Sequence, residues 1–139
     1  MTPPAAASRL PLVRRFAVLG LVLAGVAACT TALVDPQGLT YVVFFTPFSA
    51  DLDDGAMAVI ADASRAAQTA GNHRIVVAGY ADRIGTPEAN KTLTKLRAQV
   101  VADGLVAKGV DRQRIVLRPK GSVGGDPGVE SRRVEIDIN

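Results

Sequence analysis

Past residue 40, the apolar positions of this 139-residue chain recur alternately at two and at about three and a half, the periods of strand and helix. The first block, Thr40-Tyr-Val-Val-Phe-Phe-Thr46, is β-branched and aromatic and ends at Pro47, which predicts a buried strand. A helix should follow. Ser49 or Asp51 can cap it, Asp53 and Asp54 suit its positive end, and Leu52, Ala56, Val59, Ala63 and Ala67 make an inner stripe that stops at Gly71-Asn72. Arg74 to Tyr80 reads as a second strand. Pro87 opens a second helix, with Ala89, Leu93, Leu96, Val100 and Leu105 on one face and Gly109 at its end. Ile115-Val-Leu117 is a third strand, Gly121 to Gly128 a Gly/Pro-rich loop, and Val134-Glu-Ile-Asp-Ile138 an alternating last strand. The order β-α-β-α-β-β predicts an α+β domain over residues 40–139, a mixed four-stranded sheet with both helices on one face.

Ahead of this domain the pattern changes. Arg9, Arg14 and Arg15 precede the apolar run Phe16 to Gly25, and the small residues Val26-Ala27-Ala28 lead to Cys29. A positive start, an apolar core and small residues at its end predict a signal segment over residues 1–28. The stretch from Phe16 to Val34 is 19 residues without a charge, long enough for a membrane-spanning helix. Against that alternative, Cys29-Thr30-Thr31 weakens the last turns and the strongly apolar part stops near Ala28. Val26-Ala27-Ala28-Cys29 resembles the lipobox of bacterial lipoproteins. The resemblance implies that the Cys29 thiol is diacylated and the chain cut just before it; two or more acyl chains anchor stably where one holds only reversibly. By the same resemblance, Thr30 after the cysteine favours the outer membrane. Residues 29–39 are then the lipidated cysteine and a short tether, with a turn signal at Asp35-Pro36-Gln37-Gly38.

Charge supports this division. Lys plus Arg number 16 against 13 Asp plus Glu, a net of +3, and Arg9, Arg14 and Arg15 supply the whole excess because no acidic residue precedes Asp35. After residue 28, 13 basic face 13 acidic residues, which excludes a basic nucleic-acid footprint, so no nucleic acid is expected as a partner. One Cys excludes an intramolecular disulfide and a Cys-cluster metal site, and a single His beside it argues against a zinc hydrolase and a Cys–His nucleophile pair. No cofactor, metal site or catalytic residue is therefore expected, and the chain does not read as an enzyme. Asp51-Leu-Asp53-Asp54-Gly55 fails as a calcium loop, since its glycine falls fifth rather than sixth and no Glu stands twelfth. Gly121-Ser-Val-Gly124-Gly125 lacks the Lys-Ser/Thr ending of a phosphate cradle. His73 reads as a loop histidine, and Arg112, Arg114, Arg118 and Lys120 as a solvated face of the third strand.

The informative stretch is Gly79-Tyr80-Ala81-Asp82-Arg83-Ile84-Gly85, then Asn90, Leu93-Thr94 and Arg97-Ala98. Asp82 follows the carboxyl end of the second strand, where α/β sheets tend to place ligands. Asn90 and Arg97 are two helical turns apart and project to nearly the same side, with Thr94 between them and Leu93, Leu96 and Val100 expected to be buried opposite. One carboxylate and one guanidinium should then face one cleft. Asp82 can receive an ammonium and Arg97 can grip a carboxylate, the two ends of a zwitterion.

The stretch resembles the signature of the OmpA-like peptidoglycan-binding domains, G-[HY]-T-D-x-x-G followed by N-x-x-L-S-x-x-R-A. Gly79, Tyr80, Asp82, Gly85, Asn90, Leu93, Arg97 and Ala98 match it, and the likeness runs from about Tyr41 to Ile138 with Arg132-Arg133-Val134-Glu135-Ile136 near its end. The resemblance implies that Asp82 and Arg97 bind the diaminopimelate of the peptidoglycan stem peptide and that Asn90 orders the binding loop. Tyr80, Gly85 and Thr94 complete the expected site. Ala81 stands where the family has Thr, Thr94 where it has Ser and Ser131 where it commonly has Asn, and the loop from Gly121 to Glu130 is shorter. Either Arg132 or Arg133 can border the cleft. Joined to a lipid anchor, the architecture resembles the peptidoglycan-associated lipoproteins. The expected protein tethers the outer membrane to the cell wall from the periplasmic side, its partners being peptidoglycan, the membrane and other envelope proteins. The alternative is a periplasmic assembly module that has kept the fold and weakened its hold on the wall.

Overall fold

The computed structural model describes residues 38–124 and 128–139. The expected signal segment, Cys29 and the tether as far as Gln37 lie outside the described residues, as do residues 125–127 of the Gly/Pro-rich loop. Within them the order is β1 (Leu39–Phe44), α1 (Asp54–Thr69), β2 (Ile75–Ala81), α2 (Pro87–Ala107), β3 (Ile115–Ser122) and β4 (Arg133–Ile138). The expected α+β fold is present, with the sheet ordered β1-β4-β2-β3. The last strand enters between the first two: β4 runs antiparallel to both β1 and β2, while β2 and β3 lie parallel across the α2 connection.

Alternation sorts β4 into two faces, while the central β2 is buried along most of its length. Val43, Ile75, Val77, Val134, Ile136 and Ile138 are buried with Ile60, Ala63 and Ala67 of α1 and Ala98, Val101 and Leu105 of α2 in one core. The small residues on the helices let them lie close to the sheet. Gly79 is the tightest point, because a Cβ there would collide with the Thr94 carbonyl oxygen of α2. That contact fixes the second helix against the end of β2, where the binding residues were expected.

Four local expectations need correction. The cap of α1 is Asp53, whose Oδ1 accepts from Ala56 N at 2.7 Å; Ser49 and Asp51 instead bond to each other in the preceding loop. The stripe of α2 is rotated from the expected one, for Leu96 is 51% exposed while Asn90, Thr94 and Arg97 are buried in line with Val101 and Leu105. The third strand continues to Ser122 through a register shift opposite Gly79/Tyr80. Arg112–Arg114 form a 3-10 turn rather than strand, because Asp111 accepts from Gln113 N and caps it. Arg114 then donates from Nε to His73 O and from Nη2 to Ala67 O, at 2.9 and 2.8 Å, stapling the end of α1 to the start of β2.

Candidate functional site

The site is built where β2 ends. Pro87 at the start of α2 and Thr86, whose hydroxyl accepts from Ala89 N, hold the first turn of the helix beside that end. Between them the chain turns at Gly85, where φ is +103°, a conformation that glycine adopts without strain. Asn90 closes the loop, its Nδ2 donating to Asp82 O at 3.0 Å and to Ser122 Oγ at 2.8 Å. One side chain thus ties the Asp82 backbone to the end of β3. The Asp82 carboxylate is held in turn by Ile84 N, which donates to Oδ1 at 3.1 Å.

Arg97 rises from α2 into the space under the loop after β1. Its Nε donates to Ser49 O at 2.8 Å, Nη1 to Tyr80 O at 3.2 Å and Nη2 to Thr46 O at 3.0 Å, and the guanidinium lies 5.1 Å from the Phe45 ring centroid. It is 0% exposed. A buried cation is tolerated when its donors are matched, and here carbonyls from two segments match them. Burial pushes the Arg97 guanidinium below its ordinary pKa; Asp82 opposes that shift and Arg132 adds to it.

The Arg132 guanidinium contacts Asp82. Its Nη1 stands 3.4 Å from Asp82 Oδ2, and its Nε donates to Phe45 O at 3.4 Å. Arg133, its neighbour in sequence, projects to the other side of the sheet. There it pairs with Glu135 at 2.7 Å and covers the Tyr80 ring at 4.2 Å from the centroid.

The structure therefore brings Asp82, Gly85, Asn90 and Arg97 together and adds Arg132. Thr94 is buried beside them, its Oγ1 donating to Lys91 O and accepting from Gly121 N at 3.3 Å, so it fixes the helix to β3. Tyr80 reaches this side only through its carbonyl oxygen; its ring lies on the opposite face. The family resemblance pointed to Arg132 or Arg133 without choosing. The alternation of β4 makes the choice, since Arg133 shares a face with Glu135 while Arg132 precedes the strand on the helix side.

The OmpA family sequence profile matches residues 44–133, a span that contains every one of these side chains. The chain belongs to the OmpA family. Outer membrane protein A of Yersinia pseudotuberculosis is 47% identical over 46% of this chain and 23% of that protein, and its counterpart in Klebsiella aerogenes is 50% identical over 33% and 13%. This chain thus aligns with less than a quarter of the length of these relatives. Among solved structures, the peptidoglycan-associated lipoprotein from Burkholderia pseudomallei superposes with a TM-score of 0.66 at 23% identity, covering 71% of this chain and 90% of that one. The OmpA-like domain of FopA1 from Francisella tularensis gives 0.66 at 24%, covering 73% and 71%. The periplasmic domain of Helicobacter pylori MotB gives 0.63 at 20%, covering 75% and 77%. These likenesses establish the shared α+β fold.

Proposed function

We propose that this OmpA-family chain binds peptidoglycan non-covalently through the diaminopimelate of the stem peptide, and that it ties the wall to a membrane by a lipid on Cys29. In this reading residues 1–28 are the signal, residues 29–39 the lipidated tether, and residues 40–139 the wall-binding domain facing the periplasm from the outer membrane. The observation that carries it is the placement of one carboxylate, Asp82, beside the guanidinia of Arg97 and Arg132 at the mouth of the sheet. Such a set suits a zwitterion, whose ammonium goes to the carboxylate and whose carboxylate goes to the positive side. Family membership and a fold shared with a peptidoglycan-associated lipoprotein support the same reading. The mechanism is tethering rather than turnover: anchored at one end, the domain meets the wall at high effective concentration, so modest affinity for a stem peptide suffices.

Retention on purified cell-wall sacculi tests the wall-binding half. Wild type should sediment with sacculi, whereas Asp82→Asn and Arg97→Ala should remain in solution, each first checked for a cooperative thermal transition. Equal retention of all three would refute the clamp and favour an assembly role. The anchor is tested separately. Cys29→Ser should take up no labelled palmitate and accumulate as an uncut precursor; normal processing of that variant would count against lipidation.

A further inference from the structure

We propose that the free edge of β1 takes an added strand: an extended segment of a partner protein, alternating in apolar residues and carrying Lys or Arg beside the start of α1. The sheet is ordered β1-β4-β2-β3, so β1 and β3 are its two edges, and they are built in opposite ways. β3 is blunted. Pro119 has no N–H to offer, Arg118 and Lys120 are exposed charges, and the register against β2 shifts after Gly79, all devices that keep another strand from pairing. β1 has none of them: Leu39-Thr-Tyr-Val-Val-Phe44 holds no charge, no proline and no shift in its register against β4. Phe45 N donates to Arg132 O at 2.8 Å, and alternate residues of an antiparallel strand bond to the same neighbour. Tyr41 and Val43 therefore bond toward β4, which turns the N–H and C=O of Val42 and Phe44 to the free edge. Among the described residues no backbone group bonds to them there.

Beside that edge lies room for side chains. A groove of about 320 Å³ runs between β1 and α1, lined by Val42, Phe44, Gly55 and Val59, with Asp53 in its wall. A Cβ at Gly55 would meet only Asp53 Oδ1, at 3.4 Å, so that stretch of the groove is open. Leu39 and Phe44 are exposed on the same strand. A strand laid here finds main-chain partners and apolar surface together, the combination by which sheet edges bind extended peptides. Charge selects the occupant. Asp51, Asp53 and Asp54 stand at the start of α1, and among the described residues none of the three is in an ion pair. A second copy pairing through β1 would bring an uncharged strand and the same three carboxylates. Residues 29–37 of this chain hold no Lys or Arg and add Asp35. Neither complements the acidic rim, whereas a basic partner segment does.

Short synthetic peptides of alternating Val and Thr serve as probes in an NMR titration of the whole chain: one ends in a lysine pair, one in a glutamate pair, and one repeats the lysine peptide N-methylated throughout. Wild type should bind the lysine peptide about tenfold more tightly than the glutamate peptide at low salt, should not bind the N-methylated one, and should show slowed amide exchange at Val42 and Phe44. Val42→Pro removes an outward N–H and spares the ladder to β4, a placement that edge strands accept; it should abolish binding. If it loses its thermal transition, Val42→Lys, which sets a like charge on the edge, carries the test. Equal affinity for the lysine and glutamate peptides would overturn the basic partner, and undiminished binding by the edge variants would overturn the edge itself. Failure of every peptide would overturn the proposal as well. Concentration-dependent sedimentation that Val42→Pro abolishes would then make the occupant a second copy, and Val42 and Phe44 amides protected at every dilution would make it a segment of the same chain. Unprotected amides would mean that the edge takes no strand.

Discussion

Single atoms decide how well the binding loop is located. Gly79 has no Cβ, and the α2 backbone at Thr94 occupies the place where one would be. Gly79→Ala must push the helix away or bend the strand, so it should cost about 1–3 kcal/mol, the range for overpacking a filled interior. For a domain of this size that is a fall of about 4–8 °C in Tm per kcal/mol, read by thermal melting. Because Asn90 and Arg97 ride on the same helix, the variant should also weaken sacculus binding. Tyr80 supports a prediction of a different kind. Burial raises its phenol pKa, helped by the hydrogen bond and the charge of Glu135 and opposed by Arg133. A raised pKa in the folded state means that the neutral phenol is favoured by folding. Its contribution is therefore complete below the unfolded value of about 10 and is lost as pH rises through the folded one. Denaturant melts between about pH 9 and 11 should show wild type losing stability more steeply than Tyr80→Phe. Parallel curves would mean that Tyr80 titrates alike in both states.

At the scale of an element, α2 shows both the reach and the limit of sequence reasoning. Its existence, its start at Pro87 and its end near Gly109 were legible from proline placement and apolar density. Its inner face was not. Leucines at 93 and 96 and Val100 look like a stripe, yet the buried positions are Asn90, Thr94 and Arg97, continuing at the same helical spacing into Ala98, Val101 and Leu105. A rule that sends apolar residues inward misreads a helix whose first half buries polar groups with partners supplied by β2, β3 and the loop after β1. Those partners are distant in sequence, so nothing local announces them. That Asp82, Gly85, Asn90, Thr94 and Arg97 come together at the end of β2 was legible from the family signature, but the pairing of Asp82 with Arg132 was not, because it depends on which way β4 enters the sheet, and the Tyr80 ring lies on the other face. The corrected stripe has a measurable consequence. Leu96→Gln, on the exposed side, should shift stability by no more than about 0.5 kcal/mol, whereas Val101→Ala, in the core, should cost about 1–3 kcal/mol. Chemical denaturation of both variants separates the two faces; a larger loss for Leu96→Gln would put the leucine against a surface that the core does not include.

At the scale of the whole molecule, charge and fold describe two different tasks on one chain. The basic excess belongs to Arg9, Arg14 and Arg15, while the chain after residue 28 carries 13 basic and 13 acidic residues. On the proposed function, recognition is then local and does not depend on a broad field, which fits a ligand read through one zwitterionic end. What the proposed anchor adds is reach. From Cys29 to Leu39 is 11 residues, at most about 35–40 Å when fully extended, so a domain held by acyl chains on Cys29 works close to its own membrane. Over that range the effective concentration of stem peptides depends on whether the tether can span the gap, rising until its length matches the distance and falling slowly beyond it. A flexible Gly/Ser insert of about 15 residues placed after Thr31 should therefore increase chemical cross-linking of the protein to the wall in intact cells, with Asp82→Asn cancelling the gain. Unchanged cross-linking would mean that the wall already lies within reach or that a partner carries the domain to it. A gain that survived Asp82→Asn would mean that contact with the wall does not pass through the site at the end of β2.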